Sequence, residues 1–342
     1  MSSRSVNYTS LEFTLTDLEI GILCTANVIF SIIGSFGNIL VCFAFLRFPK
    51  LRNTINIFIL SLACSALLVC LIAQPMYVVS LIEHYKQKNT TNVFEKVRKG
   101  FTWISLLASA GNLFGVTLDR YFAITKPFRH SENNGARGNA FIYVAIIWFV
   151  AACLGTSAVF KRIVKMVILV CVFVVVMFLI LPLYSRILVI AAKHRQRILA
   201  CQTYASNIST GDQTRPPTPS RYRSKLRQKI DRSALITIGL ICAVFVLGWF
   251  PLLIFPLVYR IIEDDREPLL NVFQWVNTIA LCSSACNPIV YAATDKQFRE
   301  SLKVTYRRWV TRRQDLAMIQ GKQSSRSSRR SNDKSNQSND SS

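Results

Sequence analysis

Seven long apolar stretches alternate with charged segments in this chain, and this alternation restricts its fold more than any other feature. A helix needs roughly 20 residues to cross the hydrocarbon core of a bilayer, which is about 30 Å thick. Polar backbone groups cannot be left open to lipid, so separate spans of this length favour helices over a barrel. We therefore predict an all-α membrane protein with a seven-transmembrane-helix bundle, whose spans lie near residues 21–46, 54–82, 100–124, 139–158, 163–192, 233–258 and 269–292.

Composition argues against a water-soluble helical protein. The 342 residues are 51% hydrophobic, yet the net charge is +23, and the charge lies between the apolar blocks. Residues 1–20 are mostly polar and the first block is long enough to span, so we expect no cleavable signal peptide and a first helix that acts as its own signal anchor.

The distribution of Lys and Arg predicts the orientation, because positive flanks tend to stay in the cytoplasm. Of the 41 Lys and Arg residues, 30 fall in or next to segments that are cytoplasmic if the amino terminus is outside. We expect a multi-pass plasma-membrane protein with residues 1–20 extracellular and a bundle over 21–292. Asn7 and Asn89 each begin an Asn-x-Thr triplet on the outer side and are candidate glycosylation sites.

The predicted cytoplasmic segments are basic. Residues 193–230 form a long third cytoplasmic loop, and 293–308 have the pattern of a short amphipathic eighth helix that lies on the inner leaflet and meets anionic membrane lipids. Residues 309–342 are predicted to be a disordered tail, because residues 323–342 are nearly free of apolar side chains and cannot bury enough surface to fold. Its serines stand among arginines, which suits basophilic kinases, although a passive solubilising tail explains the composition too.

None of the ten cysteines falls in a predicted outer loop, and nine fall within the apolar spans. Disulfides persist in oxidising compartments such as the extracellular space. This placement argues against an outer surface held by disulfides.

Short motifs recur at corresponding places in the spans. The third span ends in Asp119-Arg120-Tyr121, and the others hold Gly37-Asn38, Trp148, Tyr184, Phe245 with Trp249 and Pro251, and Asn287-Pro288-Ile289-Val290-Tyr291. In this order and spacing the chain resembles a rhodopsin-like (class A) G-protein-coupled receptor over about residues 20–308. The resemblance implies a heterotrimeric G protein as partner, with arrestin and receptor kinases as further candidates.

The resemblance also implies a switch at the cytoplasmic end. Arg120 is permanently charged and needs acidic partners. Asp231 lies 18 residues before Trp249, where the family places the acid that pairs with this arginine in the inactive state. The hypothesis is that an Arg120–Asp231 pair latches spans three and six, and that Tyr184 and Tyr291 bond to each other once span six swings outward. Asp231 as an ordinary acid at a helix start is the alternative.

Two aromatic residues of span six, Phe245 and Trp249, lie one turn apart and are expected to face the bundle interior. A change of aromatic rotamer there could convert ligand contact into motion about the Pro251 kink. Ordinary packing explains both residues nearly as well.

Three positions depart from the family pattern. Ala66 replaces the span-two aspartate that binds sodium in the family, so sodium regulation is doubtful. Glu95 stands where most members have a bridged cysteine, and Val176 where span five usually has proline. With the very short connection 157–163, these last two give a weak similarity to the melanocortin and adenosine receptor group.

The ligand is restricted mostly by exclusion. Thr102 replaces the aspartate of aminergic receptors and Leu281 the retinal-binding lysine of opsins. A mainly apolar lining suits a lipid or a small neutral molecule, whereas the acidic run Glu263-Asp264-Asp265 could meet a cationic peptide. The candidate pocket residues are Thr102, Trp103, Leu106, Trp249, Leu252, Leu253, Phe273 and Asn277.

The function that these features favour is a ligand-activated receptor without catalytic chemistry. A non-signalling decoy is the alternative that Ala66 supports. A transporter or channel would need charged residues along a path through the bundle, and the predicted spans contain almost none in the bundle interior. Three histidines and no clustered carboxylates argue against an enzyme. We expect no cofactor, no metal and no nucleic acid.

Overall fold

A computed structural model describes residues 14–88, 90–125, 136–190, 192–193, 196, 219–261, 266–301, 303–304 and 307. Contacts divide the chain into two units, Met1–Asp295 and Lys296–Ser342. Within the described residues, seven helices are long and apolar enough to cross a membrane. The prediction of an all-α bundle of seven transmembrane helices is confirmed.

The first unit consists of these seven helices, which we number α1 to α7. α1 covers Asp17–Arg47, α3 Asn92–Thr125, α4 Ala136–Phe160 and α6 Pro219–Ile261. The other three change their winding along their length. α2 consists of Thr54–Leu68, a π-helical turn at Val69–Ala73, and Gln74–Tyr85. α5 consists of Arg162–Val174, a π-helical turn at Val175–Ile180, and residues 181–190. α7 consists of Arg266–Ser283, a 3-10 turn at Ser284–Cys286, and Asn287–Thr294.

Polar turns lengthen several helices beyond their apolar stretches. α1 begins at Asp17 because Thr16 and Glu19 form a capping box, in which the Glu19 backbone N–H donates to Thr16 Oγ1 over 3.3 Å and the Thr16 N–H donates to Glu19 Oε2 over 2.9 Å. α6 begins at Pro219, so the end of the predicted loop 193–230 is helical. Proline is well suited to a first helical position, because its missing N–H is not needed there.

The bundle buries several polar side chains within its apolar core and turns many large apolar side chains outward. Asn27, Asn38 and Asn112 are fully buried, whereas Phe149 and Leu247 are more than 70% exposed. This arrangement suits lipid, because hydrocarbon solvates apolar side chains and polar groups inside the bundle bond across helices. The apolar surface therefore marks the part of each helix that faces the membrane.

Neighbouring helices in sequence also pack together. α3 lies against both α2 and α4, α1 packs on α2 and α7, and α6 packs on α7. Only Lys161 separates α4 from α5, which agrees with the very short connection expected there.

In the second unit, residues 296–301, 303–304 and 307 are helical, and Lys296 Nζ lies 3.6 Å from Glu300 Oε1 one turn later. They fall within the predicted eighth helix, 293–308. Its contact with the inner leaflet stays a prediction.

Candidate functional site

Arg120 marks one end of the bundle, which we call the inner end, and Glu95 marks the opposite, outer end. At the inner end of α3, Arg120 Nη2 donates to Asp119 Oδ2 over 2.6 Å and Arg120 Nε donates to the same oxygen over 3.1 Å. The arginine side chain is 16% exposed and the aspartate 8%. Tyr121, the third residue of the motif, packs edge-on against Phe122 with ring centroids 5.8 Å apart. A guanidinium is thus held near the surface by its own neighbour in sequence.

A second contact at the inner end joins α5 to α6. The Tyr184 hydroxyl donates to the backbone carbonyl of Leu235 over 2.8 Å. The tyrosine ring lies directly over Gly239, where any Cβ atom would collide with the hydroxyl. Tyr184 therefore holds α6 against α5 in this conformation.

Asp231 belongs to α6, whose helical range includes it, but its side chain lies outside the part that the structure describes. The predicted pair of Asp231 with Arg120 stays a prediction. Asn7 and Asn89, the candidate glycosylation sites, lie outside the described residues, as does the Glu263-Asp264-Asp265 run.

The predicted aromatic pair of α6 is buried in the bundle. The rings of Phe245 and Trp249 are stacked at 6.3 Å between centroids, and the two side chains are 7% and 3% exposed. Pro251 follows inside the same helix, with Pro256 five residues further. A proline removes a backbone hydrogen bond within the helix, which makes this segment easier to bend.

The α7 motif starts where the 3-10 turn ends. Asn287, Pro288 and Tyr291 are all buried, and Tyr291 is 2% exposed. Pro288 packs against Gly37 of α1, where an added Cβ atom would lie 2.8 Å from the ring. Residues that are far apart in sequence are thus brought together by α1 and α7.

A small polar cavity lies at mid-depth below Trp249. It has room for about one water molecule and is lined by Leu62, Ser109, Leu113, Ile241, Val244, Phe245, Trp249, Ser283, Ser284 and Asn287. Ser109 and Ser65 hydroxyls are 2.9 Å apart nearby. Ala66, 1% exposed, leaves this region without a carboxylate, and the described residues contain no cluster of His, Cys, Asp or Glu that could hold a metal ion. The residues do not fit a bound sodium ion.

We therefore expect the protein to be insensitive to sodium. Neutral hydroxyl and amide oxygens rarely compensate the desolvation of a cation inside a membrane protein. The thermal unfolding midpoint of the purified protein should be the same in sodium chloride and in potassium chloride at equal ionic strength. Ala66→Asp should make the midpoint rise in sodium alone.

Ala66→Asn is the matched control, because it adds a side chain of the same size without the charge. It should leave the two salts equivalent. A large sodium-specific shift of the unfolding midpoint in the unmodified protein would contradict the conclusion that these residues do not fit a sodium ion.

The candidate pocket residues lie in the outer halves of α3, α6 and α7. Thr102 Oγ1 donates to the Arg98 carbonyl over 3.0 Å, so this hydroxyl is engaged within its own helix. Phe273 packs on Phe255 with centroids 5.0 Å apart. Of the remaining candidates, Leu106, Leu253 and Asn277 are buried, and Trp103 and Leu252 are half-buried.

Sequence reasoning missed a polar network at the outer end. Glu95 pairs with Arg98 at 2.7 Å and Lys99 at 3.3 Å, and it accepts a hydrogen bond from Ser80 of α2. Arg98 lies over the Tyr77 ring, 5.4 Å from its centroid. The Tyr77 hydroxyl continues the chain to α7 by donating to Gln274 Oε1 over 2.8 Å. The spacing of Glu95 from Arg98 and Lys99, three and four residues, was the available signal.

Two stretches of the chain, residues 37–162 and 155–291, match the family described as 7 transmembrane receptor (rhodopsin family). Similar curated proteins include the D(5)-like dopamine receptor of Takifugu rubripes, which is 26% identical over 299 residues and covers 75% of this chain and 60% of its own length. The sphingosine 1-phosphate receptor 1 of Danio rerio is 27% identical over 295 residues, covering 80% and 76%. The D(1A) dopamine receptor of Xenopus laevis is 27% identical over 315 residues, covering 75% and 66%. The chain thus spans less than two thirds of the length of both dopamine receptors.

Proposed function

The chain belongs to the rhodopsin family of 7 transmembrane receptors, and from this premise we propose that it transmits an extracellular ligand signal to a heterotrimeric G protein through its inner end. Arg120 supports this proposal most directly. Its guanidinium is partly accessible at the inner end of α3 and is held by Asp119 rather than buried among several acids. A planar fork of donors so placed suits binding to backbone carbonyls of a partner helix.

Activation in this proposal moves the inner half of α6 outward. The Tyr184 hydroxyl bond to the Leu235 carbonyl must then break, because the two atoms lie on helices that separate. Tyr184 would become available to Tyr291, which lies on α7. The loss of one hydrogen bond costs about 0.5–1.5 kcal/mol, which a ligand can offset by binding the open state more tightly.

The stacked Phe245 and Trp249 rings are the proposed link between ligand and α6. The two rings lie one helical turn apart and both line the small cavity at mid-depth. Pro251 follows in the same helix, where the missing backbone hydrogen bond makes bending easiest. A ligand that displaces Trp249 would push on this segment.

We expect Asp231→Asn to raise basal signalling about two- to fivefold, the shift produced by losing an ion pair that contributes about 0.5–1 kcal/mol. The charge of Asp231 would otherwise keep Arg120 and α6 together in the inactive state. The measurement is ligand-free G-protein activation in cells, normalised to receptor at the surface.

Asp231→Glu is the control, since it keeps the negative charge and should stay near the basal level of the unmodified receptor. If Asp231→Asn and the unmodified receptor had equal basal signalling, the Arg120–Asp231 pair would not be part of the mechanism. It would leave coupling through Arg120 intact.

The receptor is proposed to lie in the plasma membrane with its amino terminus outside. The excess of Lys and Arg on the inner segments supports this orientation. Asn7 and Asn89 would then face the compartment in which glycosylation occurs. Arrestin and receptor kinases would act on the same inner face.

The ligand class separates this chain from one of its two kinds of relative, the dopamine receptors. Dopamine is a cationic amine, whereas sphingosine 1-phosphate is an amphiphile with a phosphate head. Thr102 offers no carboxylate to an amine, and its hydroxyl is already bonded to the Arg98 carbonyl. We therefore propose that the ligand is not a biogenic amine.

A non-signalling decoy is the second candidate, because Ala66 removes a carboxylate from the centre of the bundle. A cell assay of G-protein activation across all G-protein classes separates the two. Basal or ligand-evoked activity that depends on Arg120 supports the receptor, and silence in every class supports the decoy.

A further inference from the structure

The residues that precede α1 are seated on the outer end of the bundle. Thr14 bonds to Asn271 of α7, which lies 257 residues later in the sequence. We propose that Asn271 and the apolar cluster beside it form a site for an extended peptide with an aliphatic side chain, and that residues 14–16 occupy this site as an intramolecular ligand. As a statement about receptor ligands it rests on the proposed function, because an external ligand that enters there must displace Leu15.

Asn271 recognises the backbone of Thr14 and not its side chain. The Thr14 N–H donates to Asn271 Oδ1 over 3.0 Å, and Asn271 Nδ2 donates to the Thr14 carbonyl over 3.0 Å. Opposite residues of two antiparallel strands exchange the same pair of bonds. The side-chain amide of Asn271 thus takes the place of a partner strand. Main-chain bonds of this kind hold an extended peptide whatever side chain it carries at that position.

Leu15 provides the side-chain contact of the segment. It is half-buried and packs against a buried apolar cluster that includes Leu23 of α1, Tyr77 of α2 and Leu281 of α7. Leu18, three residues later, is 73% exposed. The burial of Leu15 is therefore specific to its place beside the bundle, and an aliphatic side chain next to the bonded backbone is the feature that the cluster accepts.

The two parts of the site lie on one face of α7. Trp275 follows Asn271 by one helical turn, so the two side chains point to the same side of the helix. Trp275 packs against the same apolar cluster as Leu15. One helix therefore places the amide that binds the backbone directly beside the contact for the aliphatic side chain.

The start of α1 directs the segment to this site. Thr16 is extended, with ψ 160°, and is fixed by its capping box with Glu19. The Tyr85 hydroxyl of α2 donates to Asp17 Oδ1 over 2.8 Å, which holds the first residue of the helix. Only two residues remain to be ordered, and a short tether gives them an effective concentration on the order of millimolar. A contact this small can therefore stay occupied, although it would be weak between separate molecules.

The test is amide hydrogen exchange of Thr14 in the purified full-length protein in nonionic detergent, without any G protein. Asn271→Ala removes both bonds and should speed this exchange about tenfold, and Leu15→Ser should speed it in the same direction. Asn271→Asp keeps an acceptor for the Thr14 N–H and should give an intermediate rate. Equal exchange rates in Asn271→Ala and the unmodified protein would overturn the proposal.

Leu18→Ser and Asn92→Ala are the matched controls. They make the same changes at exposed positions in the first turns of α1 and α3. Both should leave the exchange of Thr14 unchanged. If Leu18→Ser had the same effect as Leu15→Ser, a loosened start of α1 would explain the result and the proposal would be wrong.

A free peptide distinguishes a displaceable ligand from a fixed part of the fold. The probe is an acetylated and amidated peptide with the sequence of residues 12–17, and its control peptide carries Leu15→Ser. At about ten millimolar, above the effective concentration of the tethered segment, the probe should speed the exchange of Thr14 in the unmodified protein. The control peptide should not. No effect of the probe, or equal effects of the two peptides, would overturn the proposal.

These outcomes are independent of signalling. If the probe displaces the segment but Arg120→Ala leaves G-protein activation unchanged, the proposed coupling fails while this site stands. If activation depends on Arg120 but the probe does not change the exchange of Thr14, the coupling stands while this site fails.

Discussion

Arg120→Ala should reduce both basal and ligand-evoked G-protein activation by about tenfold or more, while the receptor still reaches the cell surface. A guanidinium that makes charge-assisted hydrogen bonds contributes about 1.5–3 kcal/mol, and each 1.4 kcal/mol corresponds to a factor of ten. In the structure its two bonds go to Asp119, the adjacent residue, so removing the side chain leaves the contacts between helices in place. The measurement is G-protein activation per receptor at the surface.

Two further variants make this result specific. Arg120→Lys keeps the charge but loses the planar fork, so it should retain only part of the activity. Arg47→Ala removes an exposed cation from the inner end of α1 and should signal normally. Full activity in Arg120→Ala would mean that the inner end couples by another surface, or that the measured signal does not arise from this receptor.

The sequence was sufficient to predict the number and order of the helices, because apolar stretches long enough to cross a membrane form transmembrane helices. It was less informative at their ends. α3 begins at Asn92, about two turns before its apolar stretch, since Glu95, Arg98 and Lys99 satisfy one another there and need not be buried in hydrocarbon. A search for apolar residues cannot detect such polar turns.

The π-helical turns in α2 and α5 were not predictable either. Val69–Ala73 and Val175–Ile180 are ordinary aliphatic sequences, and α5 has Val176 where a proline would have given a signal. A π turn depends on how a helix packs against its neighbours, which is a property of tertiary structure.

The candidate site was predicted unevenly. Motif matching was enough to name Arg120, Tyr184 and Trp249 as candidates, because each belongs to a short pattern with fixed spacing. It could not predict the contact of Lys165 with Trp103, which depends on the approach of α5 to α3. Nor could it show that Tyr184 bonds to the Leu235 carbonyl, because that bond requires the absence of a side chain at Gly239.

Gly155→Leu should abolish surface expression, and Gly155→Ala should lower the unfolding midpoint of the purified receptor. A Cβ atom at Gly155 of α4 would lie 2.7 Å from Ile104 Cγ1 and 2.8 Å from the Ile104 backbone N. A side chain could rotate away, but the backbone of α3 cannot, so the two helices must separate. Overpacking of a filled interior costs about 1–3 kcal/mol for small additions.

Gly138→Ala is the matched control within the same helix. A Cβ atom at Gly138 meets nothing within 4 Å, and the residue is exposed. Both alanine variants reduce the conformational freedom of an unfolded glycine, a gain of about 0.4–1 kcal/mol, so this effect cancels in the comparison. The remaining difference in midpoint measures the contact between α3 and α4. If Gly155→Ala were as stable as Gly138→Ala, the close approach of α4 to Ile104 would be wrong, and with it the position of the outer half of α3 that carries Trp103.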